Sequence, residues 1–217
     1  MYHYLDDKAF LHRMRALSGE IVQNLCHNLK EDHDIGANFY LVGSGARNLI
    51  MQNENLPVDL DYNLDIIRCE NINKCRDIKE CVRKAFNKAL NAYGLYDCED
   101  STSCLTSKRM WFKEGNTTEF SIDLCIVFND DSGYTYRLIH EKSGFFVQDR
   151  YYWNKAPQSK DLRKKVDYIK KHGKWARVRE QYLTIKNRYL SQNDTTHPSF
   201  ICYTEAINNV YNTRMHW

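Results

Sequence analysis

The stretch from Phe39 to Ile67 constrains this chain more than any other. It begins as an apolar run, Phe39-Tyr40-Leu41-Val42, and stops at Gly43-Ser44-Gly45. An apolar run that ends in glycines reads as a buried strand followed by a tight turn. Ala46 to Gln52 can then form a short helix. Gly43 and Gly45 carry no Cβ, so the backbone can approach an anion closely. Free N–H groups at a helix start favour a phosphate there, and Ser44 adds a hydroxyl donor.

The second half of the stretch, Val58 to Ile67, is a strand with an unusual face. Side chains alternate along a strand, so Val58, Leu60, Tyr62 and Leu64 point one way. Asp59, Asp61, Asn63 and Asp65 point the other way. Two carboxylates on one face repel each other and lose hydration when covered. Such a face is tolerated where it is open to water or where a cation sits on it. Mg²⁺ takes carboxylates together with phosphate oxygens. A phosphate cradle followed by a carboxylate pair therefore points to metal-assisted phosphoryl or nucleotidyl transfer.

Gly43-Ser44 followed by Asp59-Leu60-Asp61 resembles the signature of the nucleotidyltransferase superfamily typified by DNA polymerase β. Gly43-Ser44-Gly45-Ala46-Arg47-Asn48 is similar to the Gly-Ser-x-Ala-Arg-Gly of its small bacterial members, with Asn48 in place of the last glycine. The 14 residues between Ser44 and Asp59 are more than those members have, and the extra length, Gln52 to Leu56, can be a loop. The resemblance implies a third carboxylate on a neighbouring strand, and Asp123 in Phe120-Ser121-Ile122-Asp123-Leu124 matches it. There Phe120, Ile122, Leu124 and Ile126 share one face and Asp123 falls on the other.

The resemblance further implies Mg²⁺, with Mn²⁺ as a substitute, held by Asp59, Asp61 and Asp123. In that scheme Asp61 bridges two ions, and Asp123 helps to deprotonate the incoming hydroxyl. Gly43, Ser44 and Arg47 bind the nucleoside triphosphate. The activity implied is transfer of a nucleoside monophosphate to an acceptor hydroxyl with release of pyrophosphate. The acceptor is a small molecule, a tRNA or other RNA end, or a protein side chain. The alternative is a catalytically idle nucleotide- or RNA-binding partner, as in a toxin–antitoxin or phage-defence pair.

Each residue also has a plainer reading. Asp is ordinary at an exposed strand end, Asp123 can pair with Lys108 or Arg109, and Arg47 can simply solvate a helix. Tyr151, Tyr152 and Trp153 either stack a base or cover the core. Between Arg150 and Leu190 thirteen Lys and Arg face three acids. Among them Lys155, Lys160, Lys164, Lys170 and Lys171 either neutralise phosphates or line a solvated helix.

The remaining periodicities set the architecture. Leu11, Met14, Leu17, Ile21 and Leu25 predict a helix over 5–30, with Ser18-Gly19 as a possible kink. A second helix is predicted over 71–93, then strands over 95–98 and 104–112, the latter pairing with the Asp123 strand. A hairpin over 134–152 turns at Glu141 to Gly144 and returns as Phe145 to Gln148. Three helices follow, the first capped by Ser159. The expected fold is α/β (α+β): a small mixed nucleotidyltransferase sheet backed by helices, with a C-terminal helical segment. The expected division is a core with its N-terminal helix over 1–152 and a helical region over 153–217.

Hydrophobic residues make up 42% of the 217, which indicates a folded protein and excludes disorder. The eight cysteines include no Cys-x-x-Cys, so reduced thiols are expected and a regular zinc site is not. No apolar stretch is long enough for a bilayer, and the N-terminus carries acids where a secretory signal carries cations. These features predict a soluble, cytoplasmic protein.

Overall fold

Strand β4, Val58–Arg68, and strand β7, Phe120–Asn129, lie side by side and parallel as inner strands of the larger sheet of the structure, which is a computed structural model. It describes residues 1–143, 148–157, 160–194 and 197–217. In chain order the other elements are β1 Tyr2–Tyr4, α1 Lys8–His33, β2 Gly36–Leu41, α2 Gly43–Arg47 and β3 Met51–Asn53. Then follow α3 Cys75–Ala92, β5 Glu99–Asp100, β6 Leu105–Thr106, β8 Thr135–Glu141 and β9 Arg150–Lys155. Helices α4 Lys160–Lys171, α5 Trp175–Ser191 and α6 Ser199–Asn212 end the chain, with a short 3₁₀ turn Arg214–His216. The fold is the mixed α+β arrangement expected, a sheet with helices and a C-terminal helical segment.

The chain forms two compact units. The larger, residues 6–48 and 56–156, holds a seven-stranded mixed sheet in the order β2-β4-β7-β6-β5, with β8 and β9 continuing from β7. Val58, Leu60, Tyr62 and Leu64 of β4 are buried, as are Phe120, Ile122, Leu124 and Ile126 of β7. Helices α1 and α3 supply the rest of this core through Met14, Ile21, Leu25, Val82, Phe86 and Leu90. Asp7 caps α1 by accepting a hydrogen bond from the Phe10 N–H at 3.0 Å, and the helix runs unbroken through Ser18-Gly19.

The smaller unit, residues 1–5, 49–55 and 157–217, packs α4, α5 and α6 around Ile169, Val178, Ile185, Cys202 and Ile207. Its two-stranded sheet pairs β1 with β3, Tyr2 opposite Asn53. The expected helix over 46–52 is thus shorter and earlier. Asn48 adopts a left-handed conformation, φ 57°, that ends α2, and Met51–Asn53 turns to strand pairing. Part of the expected loop over 52–56 is therefore ordered edge.

Other boundaries shift as well. The strand expected over 95–98 forms at Glu99–Asp100, and the one over 104–112 keeps only Leu105–Thr106 and a bridge from Met110 to Phe120. The first strand of the second hairpin stands where expected. Its return is Arg150–Lys155, pairing Leu138 with Trp153, and the expected return through Phe145 to Val147 lies outside the described residues. The expected Ser159 cap also lies outside them.

Candidate functional site

Parallel pairing of β4 with β7 sets Asp61 opposite Asp123 and Asp59 opposite Ser121. Residues in register across neighbouring strands project to the same side, at a strand spacing of about 4.8 Å. The three predicted acids therefore share one face of the sheet, the face away from the Leu60 and Ile122 core. The alternation of apolar and acidic residues that makes each strand amphipathic is also what gathers them.

The glycine turn closes over this face. The Val42 N–H donates to the Asp61 carbonyl at 2.8 Å, which pins the end of β2 to β4. Gly43 sits at φ 60°, and a Cβ there would lie 2.0 Å from the Asp61 Oδ2. Only glycine fits a left-handed position in such contact with a carboxylate. Gly45 is buried, and a Cβ on it would press on Leu60 and Leu41 at 3.0 and 3.1 Å. Arg15 donates to the Gly45 carbonyl at 3.1 Å, and Arg47 folds back to donate to the Gly43 carbonyl at 2.7 Å. The Ser44 side chain is half-buried beside them.

Neither Lys108 nor Arg109 reaches Asp123. Lys108 pairs with Glu99 and Arg109 with Glu119. The Asp123 Oδ1 instead accepts a hydrogen bond from the Thr106 hydroxyl at 2.6 Å, and Asp59 accepts one from the Ser121 hydroxyl. Burial pushes the Asp123 carboxyl up to about 6, the neighbouring acids add to this, and the Thr106 hydrogen bond opposes it. Burial also raises Asp61, with repulsion from Asp59 next in size and Arg47 and Arg137 acting against it. Deeper along β4, Asp65 is buried and raised by burial, with Asn129 donating to it at 2.9 Å.

These side chains form a hard, all-oxygen donor set in which Asp61 and Asp123 are raised chiefly by burial. That chemistry fits Mg²⁺ or Mn²⁺. Among the described residues no three acidic, His or Cys side chains converge tightly enough to count as a ligand cage. Two of the three acids already accept hydroxyl hydrogen bonds, Asp123 from Thr106 and Asp59 from Ser121.

Of the other residues singled out, Tyr151 stacks on His140 with ring centroids 4.1 Å apart. Trp153 meets Phe128 edge-on at 4.7 Å and donates to the Ile72 carbonyl at 2.7 Å. These two cover the core, and Tyr152 is 38% exposed. Lys155 sits over the Tyr134 ring, Lys164 is exposed near Asp161, and Lys170 lies against Trp175. Lys171 is exposed. All eight cysteines are unbridged, as expected. Ser121 and Thr106 were missed in the sequence. Ser121 was findable, because it shares the alternation of Asp123 and stands in register with Asp59.

No protein-family model and no curated protein sequence matches the chain. Solved structures do. Vibrio cholerae DncV in its 3′-deoxy GTP-bound form is 13% identical, with a TM-score of 0.63 over 94% of this chain and 66% of DncV. Escherichia coli MS115-1 CdnC with ATP is 15% identical, with a TM-score of 0.55 over 93% and 61%. Elizabethkingia meningoseptica CdnE, a cyclic dinucleotide synthase with GTP and Apcpp, is 15% identical, with a TM-score of 0.51 over 92% and 69%. The chain spans 61 to 69% of the length of these three. The chain shares its fold with these three structures.

Proposed function

We propose that this chain is a metal-dependent nucleotidyltransferase, which moves a nucleoside monophosphate from a nucleoside triphosphate to an acceptor hydroxyl and releases pyrophosphate. One observation carries the reading. The Asp61 carboxylate touches Gly43 and faces Asp123 across the β4–β7 pair, in a site whose own cations leave it raised. Burying such a pair without a ligand to receive it is unfavourable.

In this reading Asp59, Asp61 and Asp123 hold Mg²⁺ or Mn²⁺. When bound, the cation supplies charge neutralisation for the phosphates and activates the attacking hydroxyl. The chain itself does the positioning. Gly43 and Ser44 offer backbone N–H groups and a hydroxyl to the outer phosphates, and Arg47 brings a cation beside them. Asp123, with one oxygen engaged by Thr106, receives the acceptor's proton on the other.

The neighbours bear on the acceptor. CdnE is described as a cyclic dinucleotide synthase, and a DncV structure holds a linear dinucleotide intermediate. They support a second nucleotide's hydroxyl as the acceptor here. The proposed setting is the cytoplasm, and no helix among the described residues is long and apolar enough to cross a membrane.

The test is incubation with each α-labelled nucleoside triphosphate and Mg²⁺, alone and with RNA, protein or small-molecule fractions of a cell extract. Label is expected in a dinucleotide product, with pyrophosphate released, and in neither for Asp61→Ala. Transfer of label to RNA or protein instead would replace the acceptor and keep the activity. No transfer under any condition would overturn the reading.

A further inference from the structure

Two hydroxyls stand directly behind the outer acids. Ser121 is 5% exposed, and its hydroxyl is directed at Asp59 from the neighbouring strand. Thr106 directs its hydroxyl at the Asp123 Oδ1 from the other side of β7. A hydroxyl has one proton to give, so Thr106 spends it on the carboxylate. Its oxygen is then left to face Cys104 Sγ at 3.7 Å, and Cys104 in turn faces the Ser101 hydroxyl at 3.1 Å.

Resting on the catalytic reading above, we propose that Thr106 and Ser121 are positioning residues: they fix the rotamers of Asp123 and Asp59 so that each presents its remaining oxygen to a divalent cation. A carboxylate has two oxygens and about four lone-pair sites. A single neutral donor occupies one site and leaves the charge in place, whereas a Lys or Arg partner would neutralise it. Hydroxyls therefore orient these acids without competing for the ligand. The pattern is consistent across the site: both outer acids are held by hydroxyls, and Asp61 lies close against Gly43. Partners behind metal-binding carboxylates commonly set metal affinity, and their loss costs about tenfold to a hundredfold.

The test uses Mn²⁺ alone, titrated into the full chain and followed by the paramagnetic resonance of the free ion, with melting temperature measured in parallel. Thr106→Val keeps the shape and removes the donor, and Ser121→Ala does the same for Asp59. Each is expected to weaken Mn²⁺ binding about tenfold or more, while Thr106→Ser returns it to the wild-type value. A folded Thr106→Val and Ser121→Ala that bind Mn²⁺ as the wild type does would overturn the inference and leave the catalytic reading standing. If Thr106→Val does not fold, Ser121→Ala decides alone. A wild-type chain that binds no Mn²⁺ would overturn the catalytic reading and this inference together.

Discussion

Asp100 and Asp149 in the sheet unit pair with Lys79 and His140, whereas Asp61 and Asp123 lie opposite each other with Asp59 alongside. Lys79, with its side chain 2% exposed, meets Asp100 at 2.6 Å and donates to the Ser101 carbonyl at 2.8 Å. His140 lies between the two acids, Nδ1 at 2.9 Å from Asp100 and Nε2 at 2.8 Å from Asp149. The hydrogen bond from His140 holds Asp149 below the usual carboxylate range. The Asp61 and Asp123 carboxyls are instead raised. One cluster is finished by the chain itself and ties α3, β5 and β8 together. The other is left electrostatically incomplete, and an incomplete buried set is where a charged ligand gains most.

That contrast can be broken from either side. Asp61→Asn is expected to abolish transfer, a loss on the order of a thousandfold, with melting temperature unchanged or raised because a repelling charge is gone. A variant that melts lower and still transfers label would make Asp61 a structural acid. Lys79→Met should do the reverse. Removing one partner of a buried pair strands the other, which costs about 3 kcal/mol in denaturant unfolding, while the remaining folded protein transfers at the wild-type rate. Loss of turnover without loss of stability would move the chemistry toward the wrong cluster.

Gly43→Ala sharpens the comparison at the turn. A methyl group at φ 60° and against Asp61 must displace the carboxylate or the turn. A destabilisation of roughly 1–3 kcal/mol is expected, with triphosphate affinity reduced, read by unfolding and by ligand-dependent melting. The smallest expected effect is in pH dependence. Asp123 keeps its proton to about 6 in the fold, against an ordinary value of 3.8. Between about pH 4 and 6 the folded state binds the extra proton, so this group's contribution to stability falls as pH rises and then levels off. Asp123→Asn should flatten that stretch of the stability profile, measured by melts across the range.

The gathering of Asp59, Asp61 and Asp123 on one sheet face was largely legible because its signal is local. Alternation in Val58-Asp59-Leu60-Asp61 and in Ser121-Ile122-Asp123 assigns faces without knowledge of the partner strand. Register between β4 and β7 then only had to be parallel and in step. The finished cluster was not legible. Lys79 lies in a helix rich in Lys, Arg and Glu, where a lysine reads as solvated, and its burial depends on Asp100 over twenty residues away. The pairing of Tyr2–Tyr4 with Met51–Asn53 was hidden likewise, since two three-residue strands carry no periodicity. Asn48 illustrates a third limit. A left-handed residue ended α2 where hydrophobicity alone suggested continuation to Gln52.

The most direct measurement is a crystal of the chain grown with Mn²⁺ and a non-hydrolysable nucleoside triphosphate, with data collected at the manganese edge. The expected result is an anomalous peak in contact with both Asp61 and Asp123, and triphosphate oxygens at the Gly43-Ser44 turn. A nucleotide bound away from that turn, or manganese that leaves Asp61 and Asp123 untouched, would contradict the account.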